Sequence, residues 1–293
     1  MGATLVASRF VASDVPRVSD VVAALDARYP PSWAADWDRV GLVVGEPAAP
    51  VRRALLAVDC VPETVDEALD LGVEMMIVHH PLLLRGVHSV AATTYKGAIV
   101  HRLIRAGVAL FVAHTNADVA TPGVSDALAA RLSLTDVRPL GSLAMTRPGA
   151  AGRLPGRVGR LRETLTLADL ARNVAGSLPA TPGGVRAAGD PARLIATLAV
   201  SGGAGDDQLA DATAAGVDAY LTADLRHHPA SEHLAAGGPA LLDAAHWATE
   251  RPWLDVLAVE LRADAPIETV VSDRVTDVWT THAVTATSGS PHR

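Results

Sequence analysis

The chain has 293 residues, of which 49% are hydrophobic and 3% aromatic, and its formal net charge is −7. That length suffices for one large or two modest domains, the acidic balance gives no indication of nucleic-acid binding, and the single cysteine excludes an internal disulfide and a cysteine-based zinc site. With no recognisable secretory signal and no apolar run of about 20 residues, we expect a cytoplasmic protein with no membrane association.

Strand-like and helix-like segments alternate along the first half. The predicted helices cover 18–27, 63–71, 95–106 and 124–132, and the predicted strands cover 53–58, 75–78 and 108–113. This order is typical of an α/β protein.

The same alternation resumes after 146–156, a segment rich in Gly, Pro and Ala that we interpret as a loop or linker. The predicted strands of the second half cover 156–161, 194–200, 219–222 and 240–244, and its predicted helices cover 167–178, 207–215, 229–236 and 249–261. A second Pro/Gly-rich segment, 181–191, is predicted to be a loop. We therefore predict an N-terminal α/β domain at 1–135, a C-terminal α/β domain at 136–275 and a partly disordered tail at 276–293.

A faint internal repeat also favours two related halves. The tripeptide His-His-Pro occurs at 79–81 and again at 227–229. After each copy, a later apolar run ends in a histidine with an acid four residues on, at His114 and at His246. Chance is the alternative explanation, because the spacings between the elements differ.

Candidate metal ligands cluster where the predicted strands end, which is where open α/β sheets form their binding crevices. If a helical turn follows the strand, side chains four residues apart share a face, so that Glu250 could reach the same ion as His246. Imidazoles with carboxylates suit Zn, Fe, Mn, Co or Ni better than Ca or Mg. The candidates are His79, His80, His114, Asp118, Asp224, His228, His246 and Glu250.

Each candidate also has a purely structural interpretation when taken alone. Adjacent histidines are more often structural or solvated than ligands, and His114 could satisfy backbone carbonyls in the core. Asp118 and Glu250 could be acids favoured at helix starts. The recurrence of histidine and acid at successive strand ends favours the metal site modestly. The other histidines are interpreted as non-ligands: His88, His101, His233, His282 and His292.

The glycine-rich run 201–205 follows a predicted strand and precedes a predicted helix. It could cradle an anion, although it lacks the lysine of a P-loop and the spacing of a dinucleotide fingerprint. A tight turn is an equal alternative, and such a turn also lets the backbone approach a metal or substrate closely.

These motifs, in this order, resemble the GTP cyclohydrolase I type 2 homolog family, whose members are hexamers with dinuclear metal centres. The resemblance runs from about residue 18 to about residue 271. The motifs that carry it are Trp37-Asp38-Arg39-Val40-Gly41-Leu42, Ile77-Val78-His79-His80-Pro81, His114-Thr115-Asn116-Ala117-Asp118, Gly156-Arg157-Val158-Gly159, Ser201-Gly202-Gly203-Ala204-Gly205, Thr222-Ala223-Asp224 with His228, and His246 with Glu250.

The resemblance implies two divalent metal ions per subunit, with the metal unspecified among Zn, Fe, Mn, Co and Ni. The five ligand positions of the family fall on His79, His80, Asp118, His246 and Glu250. Glu250 would bridge the ions, with His80 and Asp118 on one ion and His79 and His246 on the other.

The resemblance also implies the fold and the assembly. The fold would be two similar α/β domains, each with a central mixed sheet flanked by helices, and the metal site between them. The assembly would be a homohexamer, a trimer of dimers around a central cavity. His114, Asp224 and His228 would lie beside the metals, in catalytic roles such as proton transfer or in orienting the ligands.

The implied activity is hydrolysis, in which a metal-bound hydroxide attacks a nucleotide, as in the opening of the GTP imidazole ring. The chemistry alone fits phosphoester or amide hydrolysis equally, so the substrate is a small molecule for which a nucleotide is one candidate. The alternative is a non-enzymatic metal-binding hexameric scaffold or regulatory protein.

Three departures from the family pattern concern the surroundings of the metals. Arg39 replaces an Asn, and Ala223 and Ala245 replace glycines. A methyl group at a glycine position narrows a pocket or excludes a positive φ, so we expect an effect on the substrate rather than on the ligands. The family's long inserted domain is absent, because 140–199 is too short to hold it.

Overall fold

Short, fully buried apolar runs form the centre of one sheet in the computed structural model, which describes residues 15–141 and 154–283. Its strands are β1 (Gly41–Val44), β2 (Arg53–Ala57), β3 (Met75–Val78), β4 (Ala109–Val112) and β11 (Glu268–Val271), in the spatial order β1-β4-β3-β2-β11. Strands β4, β3, β2 and β11 are parallel, and β1 is antiparallel to β4.

The second sheet is larger and also mixed. Its strands are β5 (Thr135–Pro139), β6 (Arg157–Thr166), β7 (Val185–Ala188), β8 (Leu194–Ala204), β9 (Ala219–Ala223) and β10 (Ala240–Ala244). They lie in the order β5-β6-β8-β9-β10-β7, with β8, β9 and β10 parallel to one another. The carboxyl ends of these three strands therefore meet at one edge.

Helices cover the sheets, because parallel strands need crossover connections on their faces. They are α1 (Val18–Arg28), α2 (Pro62–Leu71), α3 (Tyr95–Ala106), α4 (Thr115–Asp118), α5 (Val124–Arg131), α6 (Leu167–Ser177), α7 (Leu209–Ala214), α8 (His227–Ala235) and α9 (His246–Asp264), with 3-10 turns at Pro31–Trp33 and Asp206–Gln208. Within the described ranges, no helix combines the length and apolarity needed to cross a membrane.

Helix α9 joins the two sheets into one core. It packs on β8 and β9 of the second sheet, on β2 and β11 of the first sheet, and on helix α5. Trp253, Leu254 and Leu257 on this helix belong to a single buried cluster that also contains Ile77 of β3 and Leu221 of β9. A helix fixed between both sheets can hold side chains against the strand ends of each.

The predicted α/β fold with two mixed sheets flanked by helices is confirmed. Four strands were not predicted: β1, β5, β7 inside the predicted loop 181–191, and β11. Each is an edge strand of four or five residues without a fully buried apolar run, so its pattern gives no strand signal.

Two predictions on the organisation of the chain stay untested, wholly or in part. The division between 1–135 and 136–275 stays a prediction, and β11 crosses it by pairing with β2. The predicted linker 146–156 lies outside the described residues up to position 153, as do positions 284–293 of the tail and His292.

Candidate metal centre

The first two ligand candidates follow β3 directly, because the buried run ends at Val78 and Pro81 cannot continue the strand. The side chain of His79 is fully buried, while that of His80 is 26% exposed. Their ring centroids lie 5.0 Å apart with an interplanar angle of 48°. Successive residues at the strand end therefore direct two imidazoles to different parts of one site.

The other half of the site comes from α9. This helix begins at His246 directly after β10, three residues earlier than the predicted start at 249. His246 and Glu250 are therefore on one helix face, with 3.0 Å between Nε2 of His246 and Oε1 of Glu250. The predicted sharing of a face is confirmed, and the early start is its cause.

Glu250 is the centre of the cluster. Its buried carboxylate lies 3.0 Å from Nε2 of His246, 3.1 Å from Nε2 of His80 and 3.4 Å from Nε2 of His79. Asp118, at the end of α4, completes the group with its Oδ1 3.6 Å from Nε2 of His79. The structure thus brings all five predicted ligands together.

Each of the three ligand imidazoles is oriented through its other nitrogen. Nδ1 of His79 donates to the backbone oxygen of Ala113 at 2.9 Å, and Nδ1 of His80 donates to Asp59 at 2.7 Å. Nδ1 of His246 donates to Asp224 at 2.6 Å. These bonds fix the tautomer that leaves each Nε2 lone pair facing Glu250, which is how metal-binding histidines are commonly held.

The donor atoms fit a metal ion. Nε2 of His79 and Oε2 of Glu250 are buried and have no hydrogen-bond partner among the described residues. Nε2 of His80 also faces Nε2 of His246 at 3.2 Å, so two lone pairs meet unless a cation or a proton separates them. A buried group of acceptors that needs positive charge is what a divalent ion stabilises.

The pKa shifts of the ligand side chains also show that this cluster favours positive charge. Burial lowers the pKa of His246, but the Glu250 carboxylate and the Asp224 hydrogen bond outweigh it and raise that pKa to about 10. The pKa of His80 is raised for the same reasons, with Asp59 in place of Asp224. Burial would raise the pKa of Glu250, yet the surrounding imidazoles hold it well below its usual value.

The contacts among the ligands support two different assignments of residues to the two implied ions. Oε1 of Glu250 faces both His79 and His246 while Oε2 faces His80, as the implied pairing requires. However, His79 is the imidazole that contacts Asp118, and His80 contacts His246, which is the opposite pairing. The assignment of each residue to one ion therefore stays a prediction.

His114 lies beside these ligands as predicted. Its ring centroid is 5.1 Å from that of His79 and 5.6 Å from that of His80. Donor atoms of these three histidines lie within 4.8 Å of one another, so His114 could also ligate an ion. Its Nδ1 donates to Asp38 at 2.9 Å.

Asp38, a buried carboxylate, holds His114 through the hydrogen bond from Nδ1. Burial raises its pKa, but the His114 ring and hydrogen bonds from the hydroxyl and N–H of Thr115 outweigh burial and lower the pKa to about 2. An ionised Asp38 keeps the proton of the neutral ring on Nδ1 and leaves Nε2 as the basic atom.

The other two catalytic candidates have different positions. Asp224 is beside the metal ligands, where it orients His246. His228 is exposed in the first turn of α8 and contacts the ring of His227. It is not among the residues that line the cavity at the metal ligands. The first His-His-Pro ends a strand and the second begins a helix, so the repeat does not place equivalent side chains.

Sequence reasoning missed two residues that orient imidazoles, Asp59 and Asp38. Asp59 follows the predicted strand 53–58 and carries the same strand-end signal as the chosen ligands. Asp38 lies inside the Trp37–Leu42 motif and has no signal of its own, because its partner His114 is 76 positions away.

The glycine-rich run 201–205 brings the backbone against the site. Gly203 has φ +67°, and a Cβ there would lie 2.4 Å from Oε1 of Glu250 and 3.1 Å from Nε2 of His246. A larger residue at 203 would displace these ligands. Of the interpretations of the glycine-rich run, the structure therefore favours a turn that lets the backbone approach the metal site closely.

The departures from the family pattern leave the backbone unstrained. Ala245 has φ −63° at the start of α9, and Ala223 ends β9 with no positive φ. Arg39 donates hydrogen bonds to the backbone oxygens of Asp36 and Asp38.

An open cavity of about 900 Å³ lies at the metal ligands. His80, His246 and His114 line it, together with Asp59 and Asp224. Arg186 is the one arginine or lysine among the described residues that line it. His282, interpreted as a non-ligand, also lines the cavity.

The chain is similar to known proteins in sequence and in fold. The model of the Duf34/NIF3 (NGG1p interacting factor 3) family matches residues 16–278. A Streptomyces coelicolor protein described as a GTP cyclohydrolase 1 type 2 homolog is 53% identical over 281 residues, which cover 94% of this chain and 98% of the relative.

Two solved structures are similar in fold. A Bacillus cereus protein related to NIF3 has a TM-score of 0.83 at 22% identity, covering 92% of this chain and 100% of its own. A Staphylococcus aureus hypothetical protein has a TM-score of 0.81 at 27% identity with the same coverage.

Proposed function

This chain belongs to the Duf34/NIF3 family, and we propose that it is a hydrolase that depends on two divalent metal ions and acts on a small molecule such as a nucleotide. The observation that carries the proposal is the buried carboxylate of Glu250 between three imidazoles, each with its Nδ1 already bonded. When bound, such ions act as Lewis acids and lower the pKa of water.

The side chains around the ligands would supply the rest of the chemistry. Asp59 and Asp224 hold two imidazoles in the orientation that binds metal. His114, held by ionised Asp38, would take a proton at Nε2 and return it to the leaving group. Arg186 at the cavity is paired with Asp243, and the other N–H groups of its guanidinium could bind the phosphate of an anionic substrate.

The names of the relatives support a nucleotide ring as the substrate. Several are described as GTP cyclohydrolase 1 type 2 homologs. In the opening of the GTP imidazole ring, water adds to C8, a C–N bond of the ring breaks, and a second hydrolysis releases formate. A histidine beside such a centre can both take a proton from the attacking water and give one to the leaving nitrogen.

The experiment is a turnover assay. Metal-free protein is reconstituted with Zn, Fe, Mn, Co or Ni in turn and incubated with nucleotides, including GTP, and with phosphoester and amide substrates. We expect metal-dependent turnover that falls about 100-fold or more in His114→Gln. His101→Gln on α3 is the matched control and should retain full activity.

Protein that holds its metals but turns over no substrate in this panel would overturn the hydrolase proposal. That result would favour the alternative, a metal-binding scaffold or regulatory protein.

A further inference from the structure

The chain that follows β11 forms one wall of the metal cavity. We call residues 276–282 the strap. Its cavity-lining residues are Thr276, Asp277, Val278, Trp279, Thr281 and His282. The family match ends at residue 278, so Trp279 and His282 are features of this chain beyond that match.

The strap begins at a fixed point. Arg251 on α9 donates through Nε to the backbone oxygen of Ser272 at 3.1 Å and through Nη2 to Asp273 at 2.9 Å. The hydroxyl of Ser272 donates to Glu67 on α2 at 2.6 Å. Contacts to two helices thus set the direction in which the chain leaves β11.

The strap is also held at the metal site itself. The hydroxyl of Thr276 donates to Asp59, whose other oxygen accepts from the metal ligand His80. The Thr276 contact lies three residues before Trp279, so it fixes the chain close to that residue relative to the ligands.

Trp279 places a large aromatic surface at the cavity. Its side chain is 69% exposed, and none of the described aromatic rings stacks on it. Val278 beside it is 79% exposed and also lines the cavity, and indole faces bind planar rings by stacking. A volume of about 900 Å³ is in the range of small-molecule sites.

We propose that Trp279 is a substrate-binding residue that stacks on the planar ring of a phosphorylated small molecule held over the metal centre. This inference rests on the proposed function and narrows its substrate to nucleotide-like compounds. The strap supplies the ring contact, and Arg186 in the same cavity, which is paired with Asp243 through Nη2, supplies its remaining N–H groups to the phosphate.

The test measures binding rather than turnover. Isothermal titration of the full-length, metal-loaded protein compares guanosine 5′-monophosphate, which carries a ring, with ribose 5-phosphate, which does not. We expect Trp279→Ala to weaken the nucleotide at least about fivefold and to leave ribose 5-phosphate unchanged, and Trp279→Phe to restore most of the loss. Tyr95→Ala, which removes another exposed aromatic ring outside the cavity, is the control.

The proposal is overturned by unchanged nucleotide binding in Trp279→Ala, by equal losses for both compounds, or by no nucleotide binding to the wild type. Loss of metal or a changed assembly state in Trp279→Ala would also overturn it, by assigning Trp279 a structural role. None of these results bears on hydrolysis itself, which the turnover panel tests on phosphoester and amide substrates as well.

Discussion

At the scale of single residues, protons and metal ions compete for the same atoms. Nε2 of His246 faces Glu250, and the pKa of His246 is raised to about 10 when no ion is bound. At pH 7.5 this imidazole is charged and carries a proton on Nε2 as well as on Nδ1, because the pH lies below the pKa. A metal ion that binds Nε2 must displace that proton.

We therefore predict that metal binding releases protons at pH 7.5 and that the observed affinity rises with pH between about 6 and 9. Each displaced proton contributes about tenfold in affinity per pH unit below the pKa. Titration calorimetry in buffers of different ionisation enthalpy measures the protons released. An affinity that is independent of pH in this range would contradict the assignment of these imidazoles as ligands.

Asp59 and Asp224 act on the metals through the imidazoles that they hold. Replacing either with Asn keeps the volume but removes the charge that fixes the tautomer of the ring. We predict that Asp59→Asn and Asp224→Asn each weaken metal binding about 10- to 100-fold, measured by competition with a chelator.

Asp190→Asn, a change at an exposed carboxylate outside the cavity, serves as the control for both variants. Affinities that stay within twofold of the wild type in both site variants would show that the two carboxylates do not support the ligands.

At the scale of elements, helix α9 matters most because it supplies two ligands and packs on both sheets. Trp253 on this helix is 1% exposed, its ring lies 5.3 Å from that of His79, and its Nε1 donates to the hydroxyl of Tyr29 at 3.1 Å. This side chain connects the helix to α1 and to the strand end that carries the first imidazoles.

We predict that Trp253→Phe lowers the free energy of unfolding of the metal-free protein by about 1–3 kcal/mol, because it leaves a gap in the core and a buried hydroxyl without its donor. Urea denaturation gives the value. The same exchange at exposed Trp279 should cost no more than about 0.5 kcal/mol. Equal losses at the two positions would mean that α9 is not fixed by this contact.

Elements with strong local patterns could be predicted from the sequence, and those set by distant partners could not. The run Met75–Val78 predicts β3 because all four side chains are apolar and Pro81 stops the strand. Strand β11 exists because it pairs with β2, more than 200 positions earlier, which no local pattern records.

The candidate site follows the same rule. The strand-end pattern predicts eight candidate residues, and the family resemblance narrows them to five ligands, which the structure brings together. The strap could not be predicted as a cavity wall, since only its anchors on α9 and at Asp59 bring it there. His228 follows a predicted strand in the sequence, but the structure places it in the first turn of α8, outside the described lining of the cavity.

At the scale of the whole molecule, we propose that the chain assembles as a homohexamer, a trimer of dimers. Sedimentation velocity would test this, with an expected mass of six times the 30.3 kDa of one chain. A monomer at micromolar concentration would contradict the proposal. Closed assemblies of this kind are common among soluble proteins.

The central claim is that His79, His80, Asp118, His246 and Glu250 together hold two divalent ions. It is tested most directly by elemental analysis of protein purified without a histidine tag, beside Glu250→Gln and the exposed control Glu232→Gln. We predict two transition-metal ions per chain in the wild type and the control, and loss of at least one ion in Glu250→Gln. Wild-type protein without transition metal after reconstitution, or Glu250→Gln with a full complement, would contradict it.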